Sequence, residues 1–215
     1  MGRREFRIGL AAALGLALLA RLLVIVSPLG EIDADEAIVG LMARHIAFSG
    51  ERPVFYWGQP YLGSLEAFTA APLFRLFDSS TFLLKLVPTA YSLGFLALSA
   101  VMARRFFGTR AGLATAAYLA VPPAMWAVWS TKARGGYAEL LFLGQAVLFV
   151  TLLLAARRSP KLALLWGLLA GLTFWTHLLG IVYLLAAVLF LVLGRRTNWS
   201  LAELGLLLLG SILGM

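Results

Sequence analysis

The sequence predicts an all-α fold, a polytopic transmembrane helical bundle with two amphipathic helices in its first external loop. Of the 215 residues, 61% are hydrophobic and only 13% are charged, whereas an average soluble domain is about half apolar and about a quarter charged. Apolar runs of about 20 residues, the length that crosses a bilayer core, recur along the chain. Short basic clusters separate these runs, which is the topology signal of a membrane protein.

The first apolar run, at about 8–28, predicts a membrane helix that is retained in the mature protein. Arg3, Arg4 and Arg7 precede it, as in a signal peptide, but the run is too long for a signal-peptide core and no small-residue cleavage site follows. We expect its N-terminus in the cytoplasm. An arginine alone inside a span is costly, so we expect Arg21 to pair with a carboxylate or a carbonyl of another helix.

Residues 29–79 are too polar and too interrupted to span a bilayer, and they predict the first extracytoplasmic loop. Within this loop, "DEAIVGLMARHIAFSG" and "SLEAFTAAPLFRLF" have helical periodicity. Both predict short helices that lie in the membrane interface. The stretch between them, "ERPVFYWGQPYLG", is rich in proline, glycine and aromatic residues and predicts an irregular loop.

Six further spans are predicted after this loop, at about 82–102, 111–129, 138–156, 162–178, 179–194 and 201–215. Basic clusters fall in alternate loops and mark the cytoplasmic side, at Arg104/Arg105/Arg110, Arg157/Arg158/Lys161 and Arg195/Arg196. The result is one seven-span domain over 1–215 in the plasma (inner) membrane. Because the chain stops inside an apolar run, we expect it to be the N-terminal part of a longer protein.

The net charge of +8 does not indicate a nucleic-acid partner. The basic residues sit in short clusters between apolar runs and form no continuous binding stripe. The chain has no cysteine, which excludes a disulfide framework and a thiolate metal site.

A dense acidic cluster follows the first span, with Glu31, Asp33, Asp35 and Glu36 in six positions. Carboxylates are costly to desolvate near a membrane, so the cluster needs a reason. One interpretation is helix capping, in which Asp33 or Asp35 caps the helix that begins near Glu36. The other is chemical, with one carboxylate acting as a general base or a metal ligand. The residues themselves leave both interpretations open.

Five other polar residues are expected on the outer face. Lys132 and Arg134 precede the fourth span, and they either reach the lipid headgroups or clamp a phosphate. Glu66 is either an exposed interfacial charge or a site residue. Glu139 suits the N-terminus of the helix that it opens. His177, at an outer helix end, is more often a satisfied polar residue than a ligand.

Several of these features together resemble a known family. A basic N-terminus, a first span with Arg21, "DADEA", a helix ending at Gly50 and "YWGQPYLGSLEAFTAAPLFRLF" resemble the N-terminal half of polytopic glycosyltransferases of the GT-C fold. These lipid-phosphate-sugar-dependent enzymes include protein O-mannosyltransferase and aminoarabinose transferase relatives. In that family the first external loop carries two juxtamembrane helices and an Asp-Glu pair, whose Asp is the proposed base.

The resemblance implies that Asp35 is the catalytic base, with Glu36 beside it. Asp33-x-Asp35 is also similar to the acidic motif of some members, which implies a possible Mg²⁺ or Mn²⁺ site. One departure is that "LGSLEA" stands where aminoarabinose-type relatives carry Glu-Lys-Pro-Pro. The lysine expected at the carrier phosphate is therefore missing, which argues against an aminoarabinose transferase.

The function implied is transfer of a sugar, with inversion, from a polyprenyl-phosphate donor in the bilayer to an extracytoplasmic hydroxyl acceptor. A cation should balance the donor phosphate, and we expect Arg134 first, then Lys132, then Arg52. The remaining expected substrate contacts are Gln59, Tyr61, Glu66 and His177. The alternative is a membrane transporter or a non-catalytic membrane subunit. Against a transporter, the acids gather at one face, and the sequence shows no matched pair of broken helices.

Overall fold

The computed structural model of the protein describes residues 2–193 and 200–215. Its helices are α1 (Arg3–Val26), α2 (Ala34–Arg44), α3 (Leu65–Phe77), α4 (Thr81–Phe107), α5 (Thr109–Ala120), α6 (Ala124–Trp129), α7 (Tyr137–Ala156), α8 (Pro160–Thr176), α9 (Gly180–Leu193) and α10 (Leu201–Leu213). A short hairpin, β1 (Phe55–Tyr56) and β2 (Gln59–Gly63), lies between α2 and α3. The predicted all-α membrane class is confirmed.

Three described helices, α1, α4 and α7, are long and apolar enough to cross a membrane, with 24, 27 and 20 residues. They correspond to three of the seven predicted spans. The other spans stay a prediction, because the helices there have between 6 and 17 residues. The basic cluster at Arg195/Arg196 lies outside the described residues.

The span predicted at 111–129 is not one continuous helix. The structure ends α5 at Ala120 and begins α6 at Ala124. Pro122 and Pro123 separate the two helices, and a proline lacks the amide hydrogen and clashes with the preceding turn of a helix. The sequence contained this signal, but the continuous hydrophobicity obscured it.

The stretch at 51–63, expected as an irregular loop, forms the antiparallel hairpin instead. Tyr56 pairs with Gln59, so Trp57 and Gly58 make a two-residue turn. Gly58, the second residue of this turn, has a φ of 82°, a left-handed conformation that glycine adopts without strain. The glycine within this aromatic-rich stretch was the local signal for a turn.

The chain divides into two compact units, Met1–Phe142 and Leu143–Met215, with the division inside α7. In the first unit, α1, α4 and α5 pack around small buried side chains, among them Ala17, Ala100 and Ala116. Arg21 is buried in α1, where its Nε donates to Ser92 Oγ of α4 at 2.9 Å and its Nη1 to the Ala17 carbonyl of its own helix at 3.1 Å. The expected partner on another helix is therefore a hydroxyl, and the carbonyl belongs to α1 itself.

A second core of the first unit holds α2, α3 and the hairpin against the beginning of α4. Its buried side chains include Val39 and Met42 of α2, Phe74 of α3 and Leu84 of α4. This packing places the N-terminus of α2, with its carboxylates, at a fixed position relative to α4.

In the second unit, α8 and α10 approach closely through glycines. A Cβ atom on Gly210 would lie 2.6 Å from the Leu164 carbonyl oxygen, and one on Gly171 would lie 2.1 Å from the Ser211 carbonyl oxygen. Small residues let helix backbones come together in this way, and dispersion contacts then replace the hydrophobic effect that lipid does not supply.

This packing makes Gly210→Ala destabilising, because the added methyl group meets backbone atoms of α8. The matched control is Gly205→Ala in the same helix, where a Cβ atom meets nothing within 4 Å. Alanine is favoured over glycine in a helix by about 1 kcal/mol, so the control should raise the unfolding temperature or leave it unchanged. Thermal unfolding in detergent micelles measures both, and equal effects of the two substitutions would contradict the packing.

Candidate functional site

The N-terminus of α2 is capped by two of the four clustered carboxylates. Asp33 Oδ1 accepts the Glu36 amide at 3.1 Å, and Glu36 Oε2 accepts the Asp33 amide at 3.3 Å. This reciprocal arrangement satisfies amide hydrogens that the first turn of a helix leaves without partners. The capping interpretation is therefore confirmed for Asp33, and Asp35 is not the cap.

Glu36 is also the centre of a buried ion-pair network. Its side chain has no exposed surface, and its Oε1 lies 2.5 Å from Lys85 Nζ. Its Oε2 lies 3.0 Å from Lys132 Nζ, and the Ala133 amide donates to Oε1 at 3.3 Å. A buried carboxylate is tolerated only when cations and hydrogen bonds compensate it, as they do here.

Lys85 was missed by the sequence analysis. It is buried one turn into α4, where its side chain is 1% exposed. The available signal was a single lysine inside a predicted span, since charged residues within spans commonly pair with one another.

Lys132 and Arg134 join the loop 130–136 to the acidic cluster. Lys132 Nζ donates to the Glu31 carbonyl and lies 3.6 Å from Asp33 Oδ2. Arg134 donates to the same Oδ2 through Nε at 2.8 Å and through Nη2. Lys132 is therefore buried among protein groups, and the interpretation that it reaches lipid headgroups is wrong.

The charge of Asp33 is stabilised by these contacts. Burial alone would raise the pKa of its carboxyl group, but the hydrogen bonds from Arg134 and the Glu36 amide outweigh burial, and the pKa lies below its usual value. The Arg134 guanidinium also stacks over the Trp129 ring, 5.1 Å from its centroid. Asp33 and Arg134 therefore hold each other as an oriented pair.

Asp35 differs from Asp33 and Glu36. It is exposed in the first turn of α2, and its carboxylate has no hydrogen bond or ion pair to any residue of 2–193 or 200–215. Its backbone carbonyl accepts the Tyr56 hydroxyl at 3.2 Å. Burial first, and the charge of Asp35 next, raise the pKa of Tyr56 to about 12, so Tyr56 remains a donor that fixes this turn.

Glu66 is buried, with 3% of its surface exposed, so the interpretation as an exposed interfacial charge is wrong. Its Oε2 accepts the amides of Gly135 and Gly136 at 2.7 Å and 3.1 Å. The structure thus brings Glu66 to the end of the loop that carries Lys132 and Arg134.

The expected substrate contacts near the hairpin are not part of this network. Arg52 and Tyr61 are exposed and Gln59 is half-buried, in or just before the hairpin. Among the described residues, none of the three bonds to the acidic cluster. His177 belongs to the second unit, where it is buried and its Nδ1 accepts the Leu179 amide at 3.1 Å.

The residues expected to hold Mg²⁺ or Mn²⁺ do not fit such an ion well. Asp33 already neutralises Arg134 and lies beside Lys132, whereas these ions prefer several uncompensated oxygen ligands. Over residues 2–193 and 200–215, no group of three His, Asp or Glu side chains converges to hold a metal.

The fold and the site define an integral membrane protein whose carboxylates and cations gather around the N-terminus of a short helix outside its longest apolar helices. The family model of dolichyl-phosphate-mannose-protein mannosyltransferases matches residues 64–215, more than half of the chain. The chain belongs to this family and is a membrane glycosyltransferase of the mannosyltransferase type, which confirms the GT-C resemblance. No curated protein and no solved structure matches it.

The matched range includes Glu66, Lys132, Arg134 and His177 and begins after the acidic cluster. The role of Asp35 therefore rests on the geometry of α2 and on its neighbours.

Because Glu36 neutralises two buried lysines, Glu36→Gln should lower the free energy of unfolding by about 3–5 kcal/mol, the usual cost of leaving a buried charge without its partner. The neighbouring substitution Asp35→Asn is the control, since it removes an exposed carboxylate that pairs with nothing described. Unfolding in detergent, followed by circular dichroism, compares the two variants. A Glu36→Gln protein as stable as Asp35→Asn would show that the network contributes little.

Proposed function

We propose that the protein transfers a sugar from a polyprenyl-phosphate donor to an extracytoplasmic hydroxyl acceptor, with inversion and with Asp35 as the general base. One observation carries the proposal. Asp35 offers an exposed, unpaired carboxylate on a rigid turn, while its neighbours Asp33 and Glu36 are bound by cations. A general base must reach the proton that it removes, and among these three carboxylates Asp35 alone is free to do so.

The reaction is a single displacement. The acceptor oxygen attacks the anomeric carbon from the face opposite the phosphate, and Asp35 takes the hydroxyl proton as the new bond forms. The bond between the anomeric carbon and the phosphate oxygen breaks, and its electron pair leaves with the polyprenyl phosphate. An inverting transfer of this kind needs one base on the acceptor side and no covalent enzyme intermediate.

Arg134 is the best-placed cation for the leaving phosphate. Its side chain is 28% exposed, and its Nη1 group makes no hydrogen bond with the described residues. Asp33 and Trp129 orient the guanidinium, so little conformational entropy remains to be lost on binding a phosphate. Lys132 is already paired with Glu36, so its charge supports the phosphate from a position next to Arg134.

In this proposal, Glu36 sets the position of Asp35 through the ion-pair network. Arg52, Gln59 and Tyr61 of the hairpin region are proposed as contacts to the sugar or the acceptor. In this proposal the protein lies in the plasma (inner) membrane with its N-terminus in the cytoplasm. The site faces the extracytoplasmic side, where the lipid-anchored donor meets an acceptor dissolved in water. Family membership favours this function over a transporter or a non-catalytic subunit.

Asp35→Asn should reduce sugar transfer by about 10²–10⁴-fold, the usual contribution of a general base. Transfer is measured in membranes containing the protein, from radiolabelled polyprenyl-phosphate sugars with mannose included, at matched expression. Asp78→Asn is the control, because it makes the same change at an exposed aspartate with a φ of 63°, which asparagine tolerates.

Full transfer by Asp35→Asn would exclude Asp35 as the base. Transfer lost equally in Asp78→Asn would show that the assay reports general damage. If the wild type consumes no polyprenyl-phosphate sugar, the proposed donor class is wrong.

Arg134→Gln should weaken transfer mainly through the leaving phosphate. We expect kcat to fall by about 10-fold or more, because a charged hydrogen bond to a developing charge contributes most in the transition state. Arg110→Gln is the matched control, since Arg110 is exposed and belongs to a basic cluster predicted on the opposite, cytoplasmic side. Steady-state kinetics with a soluble short-chain donor analogue compares the two, and an equal effect of both would contradict the assignment of Arg134.

A further inference from the structure

Two buried carboxyl groups, those of Glu66 and Glu139, have no part in the proposed chemistry. Glu66 lies in the first turn of α3 and Glu139 in the first turn of α7. Glu66 is 3% exposed and Glu139 is 0% exposed. Within the described residues, three of their four oxygens, Glu66 Oε1 and both oxygens of Glu139, have no hydrogen-bond partner. Two ionised carboxylates in this state would be very costly, so the pair needs an explanation.

The fourth oxygen, Glu66 Oε2, anchors the loop 130–136. It accepts the amides of two consecutive glycines, Gly135 and Gly136. Their φ values are 86° and 94°, a conformation in which residues with a Cβ atom are strained. Two amides directed at one oxygen fix the backbone at the end of the loop.

The anchored loop carries both outer cations of the site. Lys132 reaches Glu36, and Arg134 reaches Asp33. A shift of the loop would therefore move the phosphate-binding arginine and the cap of α2 together. Because Asp35 lies in the first turn of α2, the position of Glu66 affects the base and the cation at once.

Among the residues that the structure describes, the charged and titratable groups that face Glu66 include no cation. They are Glu139 of α7, Glu36 of α2 and Tyr56 of the hairpin, with Tyr91 of α4 close to both carboxyl groups. The Tyr91 hydroxyl pairs with Thr69 Oγ1 at 3.1 Å. Lys85 and Lys132 are already engaged by Glu36. Burial first, and the charge of Glu139 next, raise the pKa of Glu66 well above its usual value.

We propose that Glu66 and Glu139 form a positioning pair that shares one proton at neutral pH and so holds the loop 130–136 in place. Neither carboxyl group touches the substrate. The pair acts through Lys132 and Arg134, and for its effect on catalysis this inference rests on the proposed function. With one proton between them, a single negative charge remains, and Glu66 Oε2 still accepts both glycine amides.

The sign of the pH dependence follows from this arrangement. A carboxyl group with a raised pKa stabilises the folded protein at low pH, and this contribution is lost as the pH rises through the raised value. Loss of the shared proton leaves two buried negative charges that repel each other. The loop should therefore loosen at alkaline pH, and transfer should decline with it.

The first test follows hydrogen exchange at the amides of 130–136 in the wild type over a pH series. Protection is expressed relative to an unstructured peptide at the same pH. We expect a step of falling protection as the pH rises above neutrality. In Glu139→Gln the step should disappear, because only one ionisable carboxyl group remains and no second negative charge can form beside it. Glu51→Gln, which alters an exposed carboxylate beside His45, should keep the wild-type step.

A further variant, Glu66→Leu, removes the acceptor and should lower the protection of the Gly135 and Gly136 amides at every pH. Sugar transfer by this variant should fall by up to about 10²-fold, the effect of a misplacement of about 1 Å. The alkaline limb of the wild-type pH–rate profile should disappear in Glu139→Gln and stay in place in Glu51→Gln.

The inference is overturned if the wild-type loop shows no alkaline step, or if Glu139→Gln keeps the step unchanged. The wild-type series answers this even where a variant fails to fold. Hydrogen exchange needs no turnover, so an alkaline step that Glu139→Gln removes, in a protein that transfers no sugar, would support the positioning pair and reject the proposed function. If transfer depends on Asp35 but the wild-type loop shows no alkaline step, the result would support the proposed function and reject the positioning pair.

Discussion

The site depends on one buried carboxylate, that of Glu36, between Lys85 and Lys132. This contact joins three parts of the first unit, namely α2, the long apolar helix α4 and the loop 130–136. In a medium of low dielectric, opposite charges attract strongly, and removing any partner leaves the others without compensation. The position of the N-terminus of α2 is therefore set by these charges together with the apolar packing of α2 against α3 and α4.

The consequence is a division of roles among adjacent carboxylates. Asp33 caps α2 and orients Arg134, Glu36 holds the helix to α4, and Asp35 between them stays exposed. On an α-helix, neighbouring residues point about 100° apart, since 3.6 residues make one turn. One short sequence can thus place a buried structural carboxylate beside one that faces water, and this gives the proposed base a rigid support.

The sequence was sufficient for the membrane class, the two short helices α2 and α3 and the acidic cluster, because hydropathy and periodicity are local properties. It was insufficient for Lys85 and for the burial of Glu66, because both depend on contacts between residues far apart in the chain. Pro122 and Pro123 and the Trp57-Gly58 turn were local signals that long apolar or irregular stretches concealed. The two interpretations of the acidic cluster apply to different residues, since Asp33 caps α2 and Asp35 is the proposed base. Only the three-dimensional arrangement distinguishes them.

The central claim is that one exposed carboxylate on a rigid turn drives a single displacement. The anomeric configuration of the product, determined by NMR against that of the donor, tests it most directly. A lone base on the acceptor side predicts inversion. Retention of configuration would require a covalent intermediate and a second carboxylate close to the first, and it would contradict the role given to Asp35.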